Sequence, residues 1–407
     1  MSQHNFVFEI LHAEPQSNRF EGGEVRLNAY VNVIHIYNRH RVERKDSSIG
    51  SETEIIRQIH YGVACCGSRM AENDQNYFEG VEKLLELWFT RKDGNTENCD
   101  LRDIPRQKWE ALLKIVHCEI ISYSSNEHMD AYVLSESSMF VAQRRIILKT
   151  CGMTTPLKCL KTLMHVVYQM TGFDYIEDVF YSRKNFKRPD LQSSPHQHFE
   201  QEVELLDSFF ADRGGSAYCF GAVNRSCWYL YTLNPLQTTY KRKKSEPDQT
   251  LEILMTNLDT RVMSIFTRLE SSSAAQATRT AGIDKLLPSM VIDDYLFQPC
   301  GYSMNGISKN GSYMTIHVTP EPEFSYVSFE TNVPQASYKD VIQRVINTFQ
   351  PGNFVLTVFA NEDSEASETI REVEKMCAFG HWKRQDVQYC KLKDYDLTYA
   401  FYSKFPS

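Results

Sequence analysis

The 407-residue sequence has no G-x-x-x-x-G-K-[ST] and no G-x-G-x-x-G, so neither common glycine-rich cradle for nucleotide phosphates is present. No apolar run approaches the ~18 residues that cross a bilayer, and no membrane-spanning helix is expected. Basic charge is not in excess: 44 Lys and Arg stand against 52 Asp and Glu, for a net charge of -8. The two signs are mixed along the chain, so neither nucleic acid nor an anionic membrane is an expected partner, and a small cationic ligand suits it better. Eleven cysteines run from Cys65 to Cys390 without a C-x-x-C pair, and the opening MSQHNFVFEILHAEPQ lacks the charged-then-apolar pattern of a signal peptide. A reducing, cytosolic setting is expected. His196 and His198 in HQH read as part of a Pro-flanked surface loop rather than a metal site. GYSMNG has two residues between Ser303 and Gly306 where a nucleophile elbow has one, which argues against a serine hydrolase.

What is present is a globular chain with 42% hydrophobic residues, enough for one large core or two smaller ones. FVFEIL and LNAYVNVIHIY near the start alternate like strands, but so few strands do not make a domain. Residues 1–75 read as an appended arm or an incorrectly joined exon, and residues 76–407 as the functional domain. FEGVEKLLELWF has Val81, Leu84, Leu85 and Trp88 at helical spacing, and PRQKWEALLKIV has Trp109, Leu112, Leu113 and Val116. PLKCLKTLMHVVYQM, EQEVELLDSFF, YKDVIQRVINTF and SETIREVEKM also read as helices, while CEIISYS, RRIILKT, AYCFG, CWYLYT, YMTIHVT, FSYVSFET, FVLTVFA and LTYAFYS read as strands. Strands in consecutive pairs at hairpin spacing favour antiparallel sheets with helices outside them. TTYKRKKSEPDQ and RLESSSAAQATRTAG read as surface loops.

One stretch does not fit a plain strand. YVLSESSMFV, Tyr132 to Val141, carries three serines and Glu136 at its centre and offers no Gly, Pro or Asn for a turn. A serine hydroxyl held against its own preceding carbonyl can attack it, turning the amide into an ester. If a base then removes the Ser137 Cα proton, the ester eliminates and the chain is cut after Glu136. The new N-terminus is then a dehydroalanine that hydrolyses to a pyruvoyl group. Four letters alone leave an ordinary polar turn as the simpler reading.

The wider sequence resembles a family that performs this chemistry. YVLSESSMFV, RRIILKTCG, FQPCGYSMNG and YMTIHVTPEPEFSYVSFE, with FEGVEKLLELWF, FYSRKNF, CWYLYTL and PDQTLEILM in the same order, are similar to eukaryotic S-adenosylmethionine decarboxylase. The resemblance runs from about Tyr77 to the C-terminus. It implies an α+β fold, a four-layer αββα sandwich of two antiparallel sheets flanked by helices. It also implies a proenzyme that cleaves itself between Glu136 and Ser137, leaving a β chain that ends at 136 and an α chain that begins with a pyruvoyl group. The implied reaction converts S-adenosylmethionine to its decarboxylated form and CO2, supplying the aminopropyl donor for spermidine and spermine.

Roles follow from the resemblance position by position. His317 matches the base that takes the Ser137 Cα proton, Ser303 a hydroxyl that supports the intermediate, and Cys151 the acid that protonates the substrate carbon. Glu79 matches an active-site carboxylate and Glu82 its support, although an acidic residue in a first helical turn also has a dipole explanation. Phe78 and Phe297 match aromatics that sandwich adenine, Glu321 the carboxylate on the ribose hydroxyls, and Glu136 lies with them in the substrate site. Aromatic faces suit a flat purine and a nearby sulfonium. Glu86, Asp248, Thr250, Glu252 and Glu330 match a buried site for putrescine, a possible activator. Gln298 and Met314 depart from the usual family residues without removing any of these groups. The resemblance further implies association of the cleaved β and α chains and a homodimer. The competing expectation is a non-catalytic regulatory paralogue, but such a protein should have lost Ser137, His317 or Cys151, and all three remain.

Overall fold

The structure is a computed structural model that describes residues 78–235 and 246–406. Strands β1 (Lys83–Thr90), β2 (Ile120–Ser125), β3 (Met129–Leu134), β4 (Ser137–Ala142), β5 (Arg145–Thr150), β6 (Tyr175–Lys184), β7 (Gly215–Gly221) and β8 (Cys227–Leu233) form an eight-stranded sheet ordered β2-β3-β4-β5-β1-β6-β8-β7. A nine-stranded sheet follows, built from β9 (Gln249–Leu258), β10 (Val291–Leu296), β11 (Tyr302–Ile307), β12 (Tyr313–Thr319), β13 (Tyr326–Thr331), β14 (Pro351–Asn361), β15 (Ala378–Phe379), β16 (Trp382–Lys391) and β17 (Tyr395–Lys404). Its order is β10-β11-β12-β13-β9-β14-β17-β16-β15. Neighbouring strands are antiparallel throughout.

Period-two alternation gives each sheet two different faces. On the outer face of the first sheet, Leu85, Leu87, Phe89, Ile146 and Leu148 pack under helices α1 (Arg106–Val116), α2 (Leu160–Met170) and α3 (Phe199–Phe210). Helix α1 contributes Trp109, Leu112, Leu113 and Val116 at 3.6-residue spacing, then stops where His117 turns left-handed at φ 67°. The outer face of the second sheet, with Leu251, Ile253, Ile316 and Phe329, packs under the short α4 (Thr260–Ser264), α5 (Ala274–Ala281) and α6 (Lys339–Phe349). Each buried Leu, Ile or Phe contributes roughly 1.5–3 kcal/mol. The inner faces meet through two apolar clusters, one with Leu84, Phe140 and Ile147 against Ile307 and Tyr313, the other with Phe180 and Trp228 against Leu254 and Tyr399. Helix, sheet, sheet and helix are therefore the four layers.

Several readings of the sequence are corrected. FEGVEKLLELWF is not a helix: its second half is β1, placed between β5 and β6. A central strand buried on both faces is apolar at both alternating positions, and such a run imitates helical spacing. Glu82 accordingly does not lie in a first helical turn. His196 is not on a surface loop but fully buried, with Nδ1 2.7 Å from Glu202 Oε1. RLESSSAAQATRTAG contains α5, whose N-cap Ser273 accepts from the Gln276 N–H and whose end is the left-handed Gly282. Most of TTYKRKKSEPDQ and all of the 1–75 arm lie outside the described residues.

Candidate active site

YVLSESSMFV is a hairpin: β3 and β4 pair with Leu134 opposite Ser137, and Ser135-Glu136 make the turn. With no glycine at either turn position, the turn is held from outside. The Ser135 N–H donates to the Glu119 carbonyl at 2.9 Å, and the Glu119 N–H donates to Ser135 Oγ at 3.0 Å. Ser137 has φ 118°, a region that side-chain-bearing residues enter at a cost. Met139 and Val141, which share its place in the alternation, pack outward beneath the helices. Ser137 instead sends Oγ to Glu82 Oε1 at 3.0 Å. The Glu136 carbonyl, the one Ser137 would attack, accepts the Cys151 N–H at 3.1 Å.

The second sheet brings the remaining groups to the same place. Ser303 and His317 are directly paired across β11 and β12, and His317 Nδ1 lies 2.8 Å from Ser303 Oγ. The other ring nitrogen lies 2.9 Å from Thr315 Oγ1 and 3.7 Å from Glu82 Oε1. Burial pushes His317 down to about 4, with Glu82 opposing, so the imidazole is neutral at neutral pH and able to accept a proton. Burial tends to raise Glu82, but Lys149 and then His317 outweigh it and hold the carboxyl below its usual range. Burial raises the Cys151 thiol, helped by Glu136 and Glu82, and keeps the proton on sulfur. Glu136 itself is pushed up to about 7 by burial, against the pull of Lys83.

Phe78 lies against Gly152, where a Cβ would come 2.7 Å from the ring. Phe297 packs edge-on to Tyr295 with ring centroids 4.9 Å apart. Glu321 approaches Cys300 Sγ at 3.7 Å, and its Oε2 is buried without a hydrogen-bond partner. Burial raises this carboxyl. Glu79 does not join the serine, histidine and cysteine: its carboxylate accepts the Lys187 and Arg188 N–H groups at 2.5 and 3.1 Å.

Glu86, Asp248, Thr250, Glu252 and Glu330 line one cavity between the sheets, together with Phe359 and Tyr395. Two cations not identified in the sequence sit among them. Arg145 pairs with Glu86 at 2.9 Å and Asp248 at 3.3 Å. Lys149, fully buried, lies 2.7 Å from Glu330, 3.2 Å from Glu252 and 3.6 Å from Glu82. Burial would lower Lys149, but the three carboxylates raise it above its usual value. Lys149 thereby joins the acidic cavity to the carboxylate that holds Ser137. Asn305 and Ser138, also not singled out in the sequence, tie the sheets together by a 2.6 Å bond beside the site.

Comparison with known proteins decides what this arrangement belongs to. Residues 75–403 match the family described as adenosylmethionine decarboxylase. The chain belongs to that family. It is 53% identical over 343 residues to the S-adenosylmethionine decarboxylase proenzyme of Drosophila melanogaster, covering 82% of this chain and 97% of that one. The Xenopus laevis proenzyme is 48% identical over 336 residues, covering 83% and 98%. A solved structure described as the Trypanosoma brucei AdoMetDC-delta26 monomer superposes with a TM-score of 0.50 at 24% identity, over 65% of this chain and 98% of that one, and supports the fold. The enzyme is thus a decarboxylase of S-adenosylmethionine, of a family made as proenzymes and built on the αββα sandwich. The regulatory-paralogue reading is not favoured. Among the described residues no helix is long and apolar enough to cross a membrane, and no three His, Cys, Asp or Glu side chains are grouped to hold a metal.

Proposed function

We propose that the chain matures by cutting itself between Glu136 and Ser137, and that position 137 then carries the pyruvoyl group used in decarboxylation. The observation that carries this reading is the conformation of Ser137, twisted to φ 118° with its hydroxyl on Glu82 while the Cys151 N–H sits on the Glu136 carbonyl. Glu82 is placed to take the hydroxyl proton as Oγ bonds to the Glu136 carbonyl carbon, and the Cys151 N–H to stabilise negative charge on that oxygen. The C–N bond then breaks, leaving an ester on Ser137 and a free amine. His317, neutral and oriented by Ser303 and Thr315, removes the Cα proton; the ester C–O bond breaks, the Glu136 carboxylate leaves, and the dehydroalanine at 137 tautomerises to an imine that water hydrolyses to pyruvoyl with release of ammonia.

The buried polar pocket left at 137, with a protonated thiol beside it, fits a pyruvoyl group. Once formed, that group supplies an electron sink for the electrons released with CO2. Cys151 delivers the proton to the substrate carbon. Phe78 and Phe297 stack on the adenine, and Glu321, whose Oε2 lacks a partner, accepts from the ribose hydroxyls. Glu79 supports this site through the backbone of residues 187 and 188.

Putrescine activates by filling the cavity between the sheets. Four carboxylates, Glu86, Asp248, Glu252 and Glu330, line it and face two cations, Arg145 and Lys149, the second of which also reaches Glu82 beside it. A diamine offsets the surplus negative charge. Processed protomers pair as a homodimer in the cytosol, a reading that rests on the family resemblance.

Intact mass of the purified chain tests the central claim. Cleavage after Glu136 gives pieces of 136 and 271 residues (407 minus 136), the larger one blocked at its N-terminus. Ser137→Ala should stay whole; the same two pieces from that variant would overturn the mechanism.

A further inference from the structure

Lys83 is fully buried, yet among the described residues no carboxylate lies within ion-pair distance of its ammonium. It points from β1 to the outer face of the first sheet, away from the acidic cavity. There it donates to the Gly152 carbonyl at 2.8 Å and to Gln192 Oε1 at 3.1 Å. Nearby Glu202 is already engaged by Arg183 at 2.8 Å, by Tyr181 and by His196. Burial lowers Lys83 to about 8, with Cys151 and Glu202 opposing. A buried cation without a counter-charge is costly, so what it holds matters.

It holds the turn that carries Cys151. Gly152 has φ 60°, gives its N–H to the Glu79 carbonyl at 3.0 Å, packs against the Phe78 ring and gives its carbonyl to Lys83. The residue before it supplies the N–H on the scissile carbonyl. We propose that Lys83 is a positioning residue for self-cleavage: by anchoring the Gly152 carbonyl it fixes the Cys151–Gly152 turn and keeps the Cys151 N–H on the Glu136 carbonyl. This rests on the maturation route proposed above. Losing one oxyanion donor outright costs on the order of 100- to 1,000-fold in rate; loosening it costs less.

The test follows cleavage of full-length chains after a pulse of in vitro translation. Lys83→Met should cleave at least about tenfold more slowly than wild type, and Lys83→Arg, which keeps a charged donor, should recover part of the rate. Hydroxylamine, which cuts esters, should not accelerate Lys83→Met, because the ester itself forms slowly; general loosening of the fold would not select that step. Gln192→Glu, nearly isosteric, gives the ammonium a competing carboxylate and should slow cleavage, whereas Gln192→Leu leaves Gly152 as the acceptor and should cleave near the wild-type rate. If Lys83→Met does not accumulate, the Gln192 pair decides: a wild-type rate for Gln192→Glu, or a Gln192→Leu as slow as it, overturns the proposal. Wild-type cleavage at Glu136 with an unimpaired, folded Lys83→Met sinks this inference alone. Cleavage elsewhere in the wild-type chain sinks the maturation route and this inference with it.

Discussion

Glu252 and Glu330 face each other directly across β9 and β13, and the buried Lys149 ammonium bonds to both. Two like charges in that register are unfavourable on any sheet and more so without water. Tyr313 takes part of the load by donating to Glu330 Oε1 at 2.6 Å. What remains shows in Glu252, which burial pushes up to about 7, with Lys149 opposing and Glu330 adding to the rise.

Putrescine activation should therefore depend on pH in a defined direction. Above about 7 Glu252 is ionised and attracts the diamine; below that value it is protonated and neutral. The half-saturating putrescine concentration should rise as pH falls through 7, and Asp248→Asn should weaken the response while leaving basal activity measurable. Activity that does not change with putrescine in processed, putrescine-free protein, together with an unchanged processing rate, would rule out the site.

Lys149→Met should be among the more damaging substitutions in the chain. It strands Glu82, Glu252 and Glu330 in a buried space, at a cost of ~3–5 kcal/mol. Urea denaturation in a Ser137→Ala background, where the chain stays in one piece, measures that loss. Self-cleavage in the Lys149→Met single variant should also slow, since Glu82 loses the cation that keeps it ionised.

Much of this cavity could be read in the sequence only by resemblance, and the reason lies in strand periodicity. Arg145 and Lys149 occupy the inner face of RIILKT, opposite Trp88 and Leu84 of KLLELWFT, with Glu86 between those two on the same face. Read as a strand, RIILKT puts both cations on one side and Ile146 and Leu148 on the other, while KLLELWFT puts Glu86 inward and Leu85 and Leu87, with Lys83, outward. The apolar residues of KLLELWFT also fit helical spacing, which hides that alternation, and without it nothing local marks Arg145 and Lys149 as facing inward. Asp248 to Glu252 and Glu330 came from motifs, but that they converge with Glu86 depends on one sheet lying over the other, which no local pattern encodes. The peripheral helices, by contrast, were legible: α1 and α6 bury one stripe each and needed no tertiary context. His196 reads as a loop residue because its partner, Glu202, lies on α3, where the sequence suggests a solvent-facing charge.

His317→Ala should stop maturation after the first step. The ester can still form, since Ser137, Glu82 and the Cys151 N–H are intact, but its elimination lacks a base. Hydroxylamine should then release both fragments from the variant, while an equally uncut chain with hydroxylamine would assign His317 to the first step instead. In the wild-type chain this base should titrate near pH 4 rather than at the free imidazole value of 6.5, so elimination should not lose rate between pH 7 and pH 5.5 on its account.

Deleting residues 1–70 should leave self-cleavage and decarboxylation intact, because the family match begins at residue 75. Loss of soluble, active protein would make the arm part of the fold.

Cys151→Ala separates the two uses of this residue. Its backbone N–H, which faces the Glu136 carbonyl, is unchanged by the substitution, so self-cleavage should continue at least in part. The thiol is lost, and with it the protonated acid that burial and the nearby Glu136 and Glu82 maintain. General acid catalysis of this kind contributes about 100- to 10,000-fold, so turnover should fall steeply and a larger share of protonations should go to the wrong atom. Product analysis by mass spectrometry in deuterated water, comparing correctly protonated product with enzyme modified at position 137, reads that partition. An unchanged rate of correct product would mean that another group supplies the proton and that Cys151 matters here only through its backbone.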